Sequence, residues 1–377
     1  MNKNSKVTLI LPVRRYSAKV IRCLNSILAG TVVPEILVMD CTAESGALDR
    51  IRLKFPQVRV FDFGMNPGRA HAVNTGIHLA RTQYVMTFSP YLEAGRHCVE
   101  RLCSALDEDS SLMSAQARIL SAGEPARISG AGWGLTVGAL PVVRGKGAGT
   151  SYIGPYAKRA RITAAQMEAA IYRMEYLEVT GILDERYYGW LEDLDLGCRG
   201  ILCGFHNLYE PLAVCREIGG AAEKSRDMGA RPGTDEGSGT DCVPGSSRFY
   251  RQLETGNRIY FRYKFGIGGA LGKLSELFPS PDADAAVQRG RIMCFQAEME
   301  CMEREELGMS VTKQTLPEEF CLKVREDGPV NVYPLYLGER VEDRFSNLAG
   351  SLRVNAAMLT GTGEKILGML RMYSQNL

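Results

Sequence analysis

Glu192, Asp193 and Asp195 stand close together in YYGWLEDLDLGCRG. Adjacent carboxyl groups raise one another's pKa, because each disfavours the other's negative charge. One of the pair then holds a proton nearer to neutral pH, where it can take a proton from an attacking hydroxyl group. Acids in the first turn of a helix are also good electrostatics with no chemistry attached. That accounts for one acid but not for the pair with its flanking YYGW and LDLGCRG. Tyr188 and Trp190 could stack on a sugar face or simply fill a core.

Further candidates lie where apolar runs end. VTLILPV ends at Pro12-Val13, EILVMD ends at Asp40, and YVMTF runs into Ser89-Pro90-Tyr91. Ligands of open α/β sheets sit at such strand ends. Asp40 can accept from a ribose hydroxyl or a base N–H, or cap the next helix. In NPGRAHAVNTG, Gly68 permits a positive φ or a close backbone approach. Asn66 precedes it and Asn74 follows on the helix. An ordinary helix start with a packing glycine reads the same way. Near the end of LAVCRE, Arg216 offers forked donors to a diphosphate, or pairs with a neighbouring acid.

The elements that must position these residues alternate over the first 90 positions. Strand-like runs at Val7–Val13, Glu35–Asp40, Val58–Gly64 and Tyr84–Phe88 enclose helical patterns at Ala18–Ala29, Leu48–Phe55 and Gly68–Arg81. This order predicts an open, mostly parallel sheet buried on both faces. A further helix and strand follow, then a glycine-rich stretch whose RGKGAGTSYIGPY reads as a flap. Ile162–Tyr172 reads as one extended segment, Met174–Gly181 and Leu191–Cys203 as helices, and HNLYE and LAVCRE as strands.

Composition excludes several classes. The 45 basic and 43 acidic residues nearly cancel, so no global attraction to nucleic acid is expected. The eleven cysteines include no CxxC pair and do not cluster with the four histidines, which argues against structural zinc. Many unpaired thiols suggest a reducing compartment, with cytoplasm expected. The start, MNKNSKVTLILPV, reads as a first strand, not a signal peptide. Neither GxGxxG nor GxxxxGK[ST] is present, which disfavours a dinucleotide-binding dehydrogenase or a phosphate loop.

The ordered set of LPV, VMD, NPGRAHAVNTGIHLA, YVMTFSPY, LDERYYGWLEDLDLGCRG and YEPLAV resembles the family 2 glycosyltransferases of the GT-A fold. Within that family it is similar to bacterial rhamnosyl- and galactofuranosyltransferases, which build polysaccharides. The likeness spans roughly residues 5 to 220. It implies an inverting transferase that moves a sugar from a nucleoside diphosphate donor to a saccharide, lipid-linked or protein acceptor. It implies Asp193 as the base, with Glu192 orienting it. Pro12, Asp40, Asn66, Gly68, Asn74, Ser89, Tyr91 and Arg216 would border the donor. Tyr188, Trp190 and Asp195 would border the acceptor.

Two positions depart from the pattern. Tyr91 stands where relatives carry the acid that binds Mg²⁺ or Mn²⁺, and Arg216 stands at or next to a metal-binding histidine. Tyrosine and arginine are poor ligands for a hard cation. No metal ligand is therefore assigned; transfer without metal is one expectation, and Mg²⁺ or Mn²⁺ held by other residues is the other. The alternative is a catalytically degenerate homologue acting as a binding or regulatory subunit of an active paralogous transferase.

The expected organisation is a GT-A-like α/β domain at 1–222, a mobile linker at 223–247 and a mainly helical region at 248–377. Phe249–Phe265, Asp282–Leu307 and segments after Val341 read as helices, and 330–337 as a strand. The basic, aromatic RQLETGNRIYFRYKFGIGGALGK either packs on the first domain or lies at an acidic membrane surface, making the protein peripheral there. The Asp282–Leu307 helix reads as a packing or homodimer helix.

Overall fold

The computed structural model describes residues 5–42, 46, 48–135, 141–150, 154–219 and 247–265, with scattered positions between 285 and 294. The linker expected at 223–247 thus lies outside the described residues but for Ser247. The same is true of most of the helix expected from Asp282, of the strand at 330–337 and of everything after Val341.

The elements run β1 (Val7–Val13), α1 (Ala18–Leu28), β2 (Glu35–Asp40), α2 (Asp49–Lys54), β3 (Arg59–Asp62), α3 (Arg69–Leu79), β4 (Tyr84–Phe88), β5 (Leu92–Ala94) and α4 (Cys98–Glu108). Next come β6 (Leu112–Leu120), β7 (Ile128–Gly130), β8 (Trp133–Leu135), β9 (Pro141–Val143), β10 (Ala160–Ile162), β11 (Ala169–Arg173) and α5 (Met174–Thr180). A 3₁₀ turn (Glu185–Tyr187), α6 (Glu192–Leu202), β12 (His206–Glu217) and α7 (Ser247–Lys264) complete the described fold.

One sheet carries most of these strands in the order β10-β12-β6-β11-β4-β1-β2-β3. The β4-β1-β2-β3 half is parallel, so the C-terminal ends of its strands share one edge. β11 then runs antiparallel to both β4 and β6, and β12 rejoins β6 in parallel. The apolar strands are buried on both faces, with one core cluster under α1 and α4 and another under α3 and α5.

Three expectations need correction. The third strand is an exposed edge, with Arg59, Phe61 and Asp62 open to solvent, because nothing pairs beyond it among the described residues. The segment 162–172 is not one strand: the turn at 163–168 splits it between β10 and β11, which lie in different parts of the sheet. HNLYE and LAVCRE form one long strand, β12, whose register shifts between Glu210 and Val214.

The third core cluster joins α6 to α7. Leu191, Leu194, Cys198 and Leu202 pack with Ile259, Tyr260, Phe261 and Phe265. Tyr260, Phe261 and Phe265, aromatic residues that could have faced a membrane, are thereby spent on packing. No described helix is long and apolar enough to cross a membrane.

Candidate active site

The site is built from strand ends. Val13 of β1 lies beside Asp40 of β2, which lies beside Asp62 of β3. Pro12 is half-buried one residue earlier. Asp40 is buried and its Oδ1 accepts from Thr42 N at 2.9 Å and Thr42 Oγ1 at 2.7 Å. At the end of β4, Ser89 Oγ accepts from Tyr91 N at 3.3 Å. Asn66 Oδ1 accepts from Gly68 N at 3.1 Å. Each of these side chains caps the backbone two residues ahead and turns the chain out of its strand.

Gly68 has φ 91°, and a Cβ there would lie 2.6 Å from the Tyr188 ring. Glycine is therefore required both by backbone conformation and by space. The turn after β3 docks in this way on YYGW: Ala70 N donates to Tyr188 O at 3.2 Å, and Tyr188 Oη donates to Asn66 O at 3.4 Å. Tyr188 and Leu191 themselves have φ of 64° and 73°. Left-handed conformations at such side chains cost roughly 1–3 kcal/mol each and concentrate at functional sites.

That strained turn delivers the acids. Glu192 and Asp193 begin α6 and are almost fully buried. Arg69 Nε donates to Glu192 Oε1 at 2.5 Å, and Arg69 Nη1 to Glu168 Oε1 at 3.3 Å. Glu192 Oε2 is buried with no hydrogen-bond partner among the described residues. Asp193 Oδ2 accepts from Met167 N at 3.1 Å and Oδ1 from Leu194 N at 2.9 Å. Burial, then the neighbouring Glu192 and Glu168, push the Asp193 carboxyl up to about 7, while Arg69 works against them. A buried carboxyl that loses its proton near neutrality is suited to general-base work.

Arg69 and Glu168 are absent from the sequence-based site. Arg69 carried one signal: a cation at the first position of a helix opposes the dipole, so it needs acids from elsewhere. Glu168 carried none, since it lies in the turn before β11. Ser89 N donates to Glu168 O at 2.8 Å, which ties the end of β4 to the acid cluster.

Two expected ligand contacts go elsewhere. Asn74 is buried, and its amide donates to Leu183 O and Glu185 Oε1 and accepts from Leu183 N. It clamps the LDERYY segment. Asp195 is fully buried between Arg199 Nε at 2.7 Å and Lys264 Nζ at 2.7 Å. Its two oxygens are thus taken up by cations inside the protein. Trp190 has the Arg258 guanidinium 5.1 Å from its ring centre.

The end of β4 is lined by paired charges. The Lys19 ammonium lies 5.6 Å from the Tyr91 ring centre. Glu93, the nearest carboxylate in sequence, is held by Arg22 through two bonds at 3.0 and 2.9 Å. Arg216 is half-exposed and pairs with Glu124 at 2.6 Å, while Glu217 accepts from Ser129 Oγ at 2.8 Å. Among the described residues no group of three His, Cys, Asp or Glu side chains is arranged to hold a metal.

Comparison with known proteins agrees with this architecture. Residues 8–166 match the sequence model of glycosyl transferase family 2, which covers the strand ends and Arg69 but stops short of Glu192 and Asp193. No curated protein matches the chain at a significant level. Among solved structures, the crystal structure of GalNAc-T7 with UDP, GalNAc and Mn²⁺ superposes with a TM-score of 0.51 at 15% sequence identity. The superposition covers 82% of this chain and 59% of that one, and at such identity it speaks to fold alone. With strand ends, acid cluster and sheet order in place, the chain has the GT-A fold, and its segment 8–166 is similar to glycosyl transferase family 2.

Proposed function

We propose that the chain is an inverting glycosyltransferase that uses a nucleoside diphosphate sugar. The observation that carries this reading is the acid cluster, in which Asp193 sits with an ionisation near neutrality beside Glu192, at the sheet edge that also bears Asp40. An acceptor hydroxyl attacks the anomeric carbon of the donor sugar. Its proton passes to Asp193, the new glycosidic C–O bond forms, and the bond to the diphosphate oxygen breaks. Glu192, pinned by Arg69, keeps the neighbouring carboxyl in place and raises its basicity. Asp40 and Asn66 border the nucleoside. The negative leaving group needs positive charge, which Lys19 and Arg216 supply without a metal ion. The acceptor is a hydroxyl of a saccharide, a lipid-linked sugar or a protein.

A second reading rests on the near-complete burial of Asp193, both of whose oxygens accept backbone N–H groups. Such a carboxyl suits a structural role, and the chain would then bind donor without turning it over. Asp193→Asn separates the two. The substitution should lower transfer by ~10²–10⁴-fold and leave UDP, dTDP or GDP affinity unchanged in a thermal-shift titration with EDTA. Equal turnover by wild type and variant would remove Asp193 as the base.

A further inference from the structure

Helix α7 reaches both flanks of the acid pair. Asn257 is fully buried, and its Nδ2 donates to Tyr187 O at 2.8 Å and to Trp190 O at 2.6 Å. Those carbonyls belong to the residues immediately before Tyr188 and Leu191, the two left-handed positions. Three residues on, Tyr260 Oη donates to Asp184 Oδ2 at 2.8 Å. Four further, on the same helix face, Lys264 Nζ lies 2.9 Å from Asp184 and 2.7 Å from Asp195. Burial pushes the Asp184 carboxyl up, but Lys264 and Arg186 together hold it well below the usual carboxylate range. One stripe of α7 therefore grips the chain on the N-terminal side of Glu192–Asp193, at 184–190, and on the C-terminal side, at 195.

Apolar docking alone does not need this stripe. Ile259, Phe261 and Phe265 already bury the helix against α6. A buried amide and a buried ammonium cost desolvation, and such groups are weak contributors to stability. What they add is a single geometry, because each bond is directional.

We propose that Asn257 and Lys264 are positioning residues of the transfer site, by which α7 holds the strained YYGWL turn and the start of α6 so that Glu192 and Asp193 keep one orientation. This rests on the transferase reading above. It also means that the site is completed from outside the family-matched segment, by a helix more than 80 residues beyond its end at 166.

The test uses the full chain with Asn257→Ala, Lys264→Met and, as a packing control on the same helix, Ile259→Val. Carboxyl-carbon NMR of ¹³C-aspartate-labelled protein follows Asp193, assigned by its loss in Asp193→Asn. The groups that face this carboxyl are Glu192 on its own helix, Arg69 on α3, Glu168 before β11 and Tyr172 on β11. Loosening the turn admits water and separates Asp193 from Glu192 and Glu168. In folded Asn257→Ala its titration midpoint should then drop by about one pH unit or more, because burial holds it up. Ile259→Val should lower the thermal midpoint and leave that titration in place. Release of UDP, dTDP or GDP from the corresponding donor sugars should fall about tenfold or more in Asn257→Ala and Lys264→Met, with nucleotide affinity unchanged. An unmoved Asp193 titration in folded Asn257→Ala overturns the proposal, and so does parallel loss of turnover and nucleotide affinity. If the wild type neither binds nucleotide nor turns over any donor, the transferase reading fails by itself, and the carboxyl titration still decides whether α7 sets the pair.

Discussion

At the strand ends, Asp40, Ser89, Asn66 and Asp62 each accept from a backbone N–H two residues ahead. In the acid cluster, Asp193 meets Met167 across 26 positions, Arg69 meets Glu168 across 99, and Arg69 meets Glu192 across 123. The strand ends form wherever a short polar residue closes a strand, and all but buried Asp40 stay at least partly open to solvent. The acids exist as a cluster only when α3, the turn before β11 and α6 have all assembled. One half of the site is thus locally written and tolerant, while the other is globally assembled and brittle. The proposed transfer gains from that division, since a donor must enter and leave while a base must hold its charge state.

Several substitutions would break or sharpen this contrast. The largest effect is expected from Arg69→Met. It leaves buried Glu192 without its cation, which should cost roughly 3–5 kcal/mol in a denaturant titration. It also removes the charge that holds the Asp193 carboxyl down, so Asp193 in any folded fraction should titrate above its wild-type position. A loss under about 1 kcal/mol would mean that the cluster is no more than a surface ion pair.

The pH response comes next. The Asp193 pKa is raised to about 7 in the folded chain. A base must be deprotonated to act, so turnover should fall about tenfold per pH unit below that value. Folding stability should move the other way. The unfolded carboxyl loses its proton near the ordinary value of 3.8. Between there and 7 the folded state binds more protons, so this group's contribution to stability declines as pH rises through that window. A flat rate profile between pH 5 and 8 would remove the assignment.

Gly68→Ala probes the seam between the two halves. The positive φ and the 2.6 Å approach to Tyr188 predict a loss of roughly 1–3 kcal/mol. Turnover should suffer more than nucleotide affinity, because Tyr188 leads to the acids. Equal losses would place the turn with the donor edge alone.

The smallest stability effect belongs to Arg216→Ala. Its pair with Glu124 is exposed on both sides, so stability should change by less than about 1 kcal/mol. Diphosphate affinity should nevertheless weaken, read by UDP titration in EDTA. Unchanged affinity would leave Lys19 to meet the leaving group without it.

The sequence was most legible where structure is local. The β1-to-β4 alternation, the strand-end residues and the helix bearing Glu192–Asp193 follow from apolar periodicity and turn chemistry, both of which act over a few positions. Edge exposure of β3 was not legible, because whether a strand has a neighbour depends on the whole sheet. Asp195 shows the same limit: beside two acids in sequence it resembles a third member of their group, yet Arg199 and Lys264 take up its two oxygens. Only α7 and Arg199 decide that its place is an internal ion pair.

By itself, the amino-acid sequence determined the parallel half of the sheet, the strand-end turns and the identity of the acids, because hydrophobic period and backbone turns are properties of adjacent residues. Tertiary structure alone decided that Arg69 and Glu168 join those acids, that Asn74 clamps a loop, and that α7 closes behind the site. The physical reason is burial. A carboxyl's proton affinity and a side chain's partners are set by whatever surrounds them once water is excluded, and those surroundings come from segments more than a hundred residues apart.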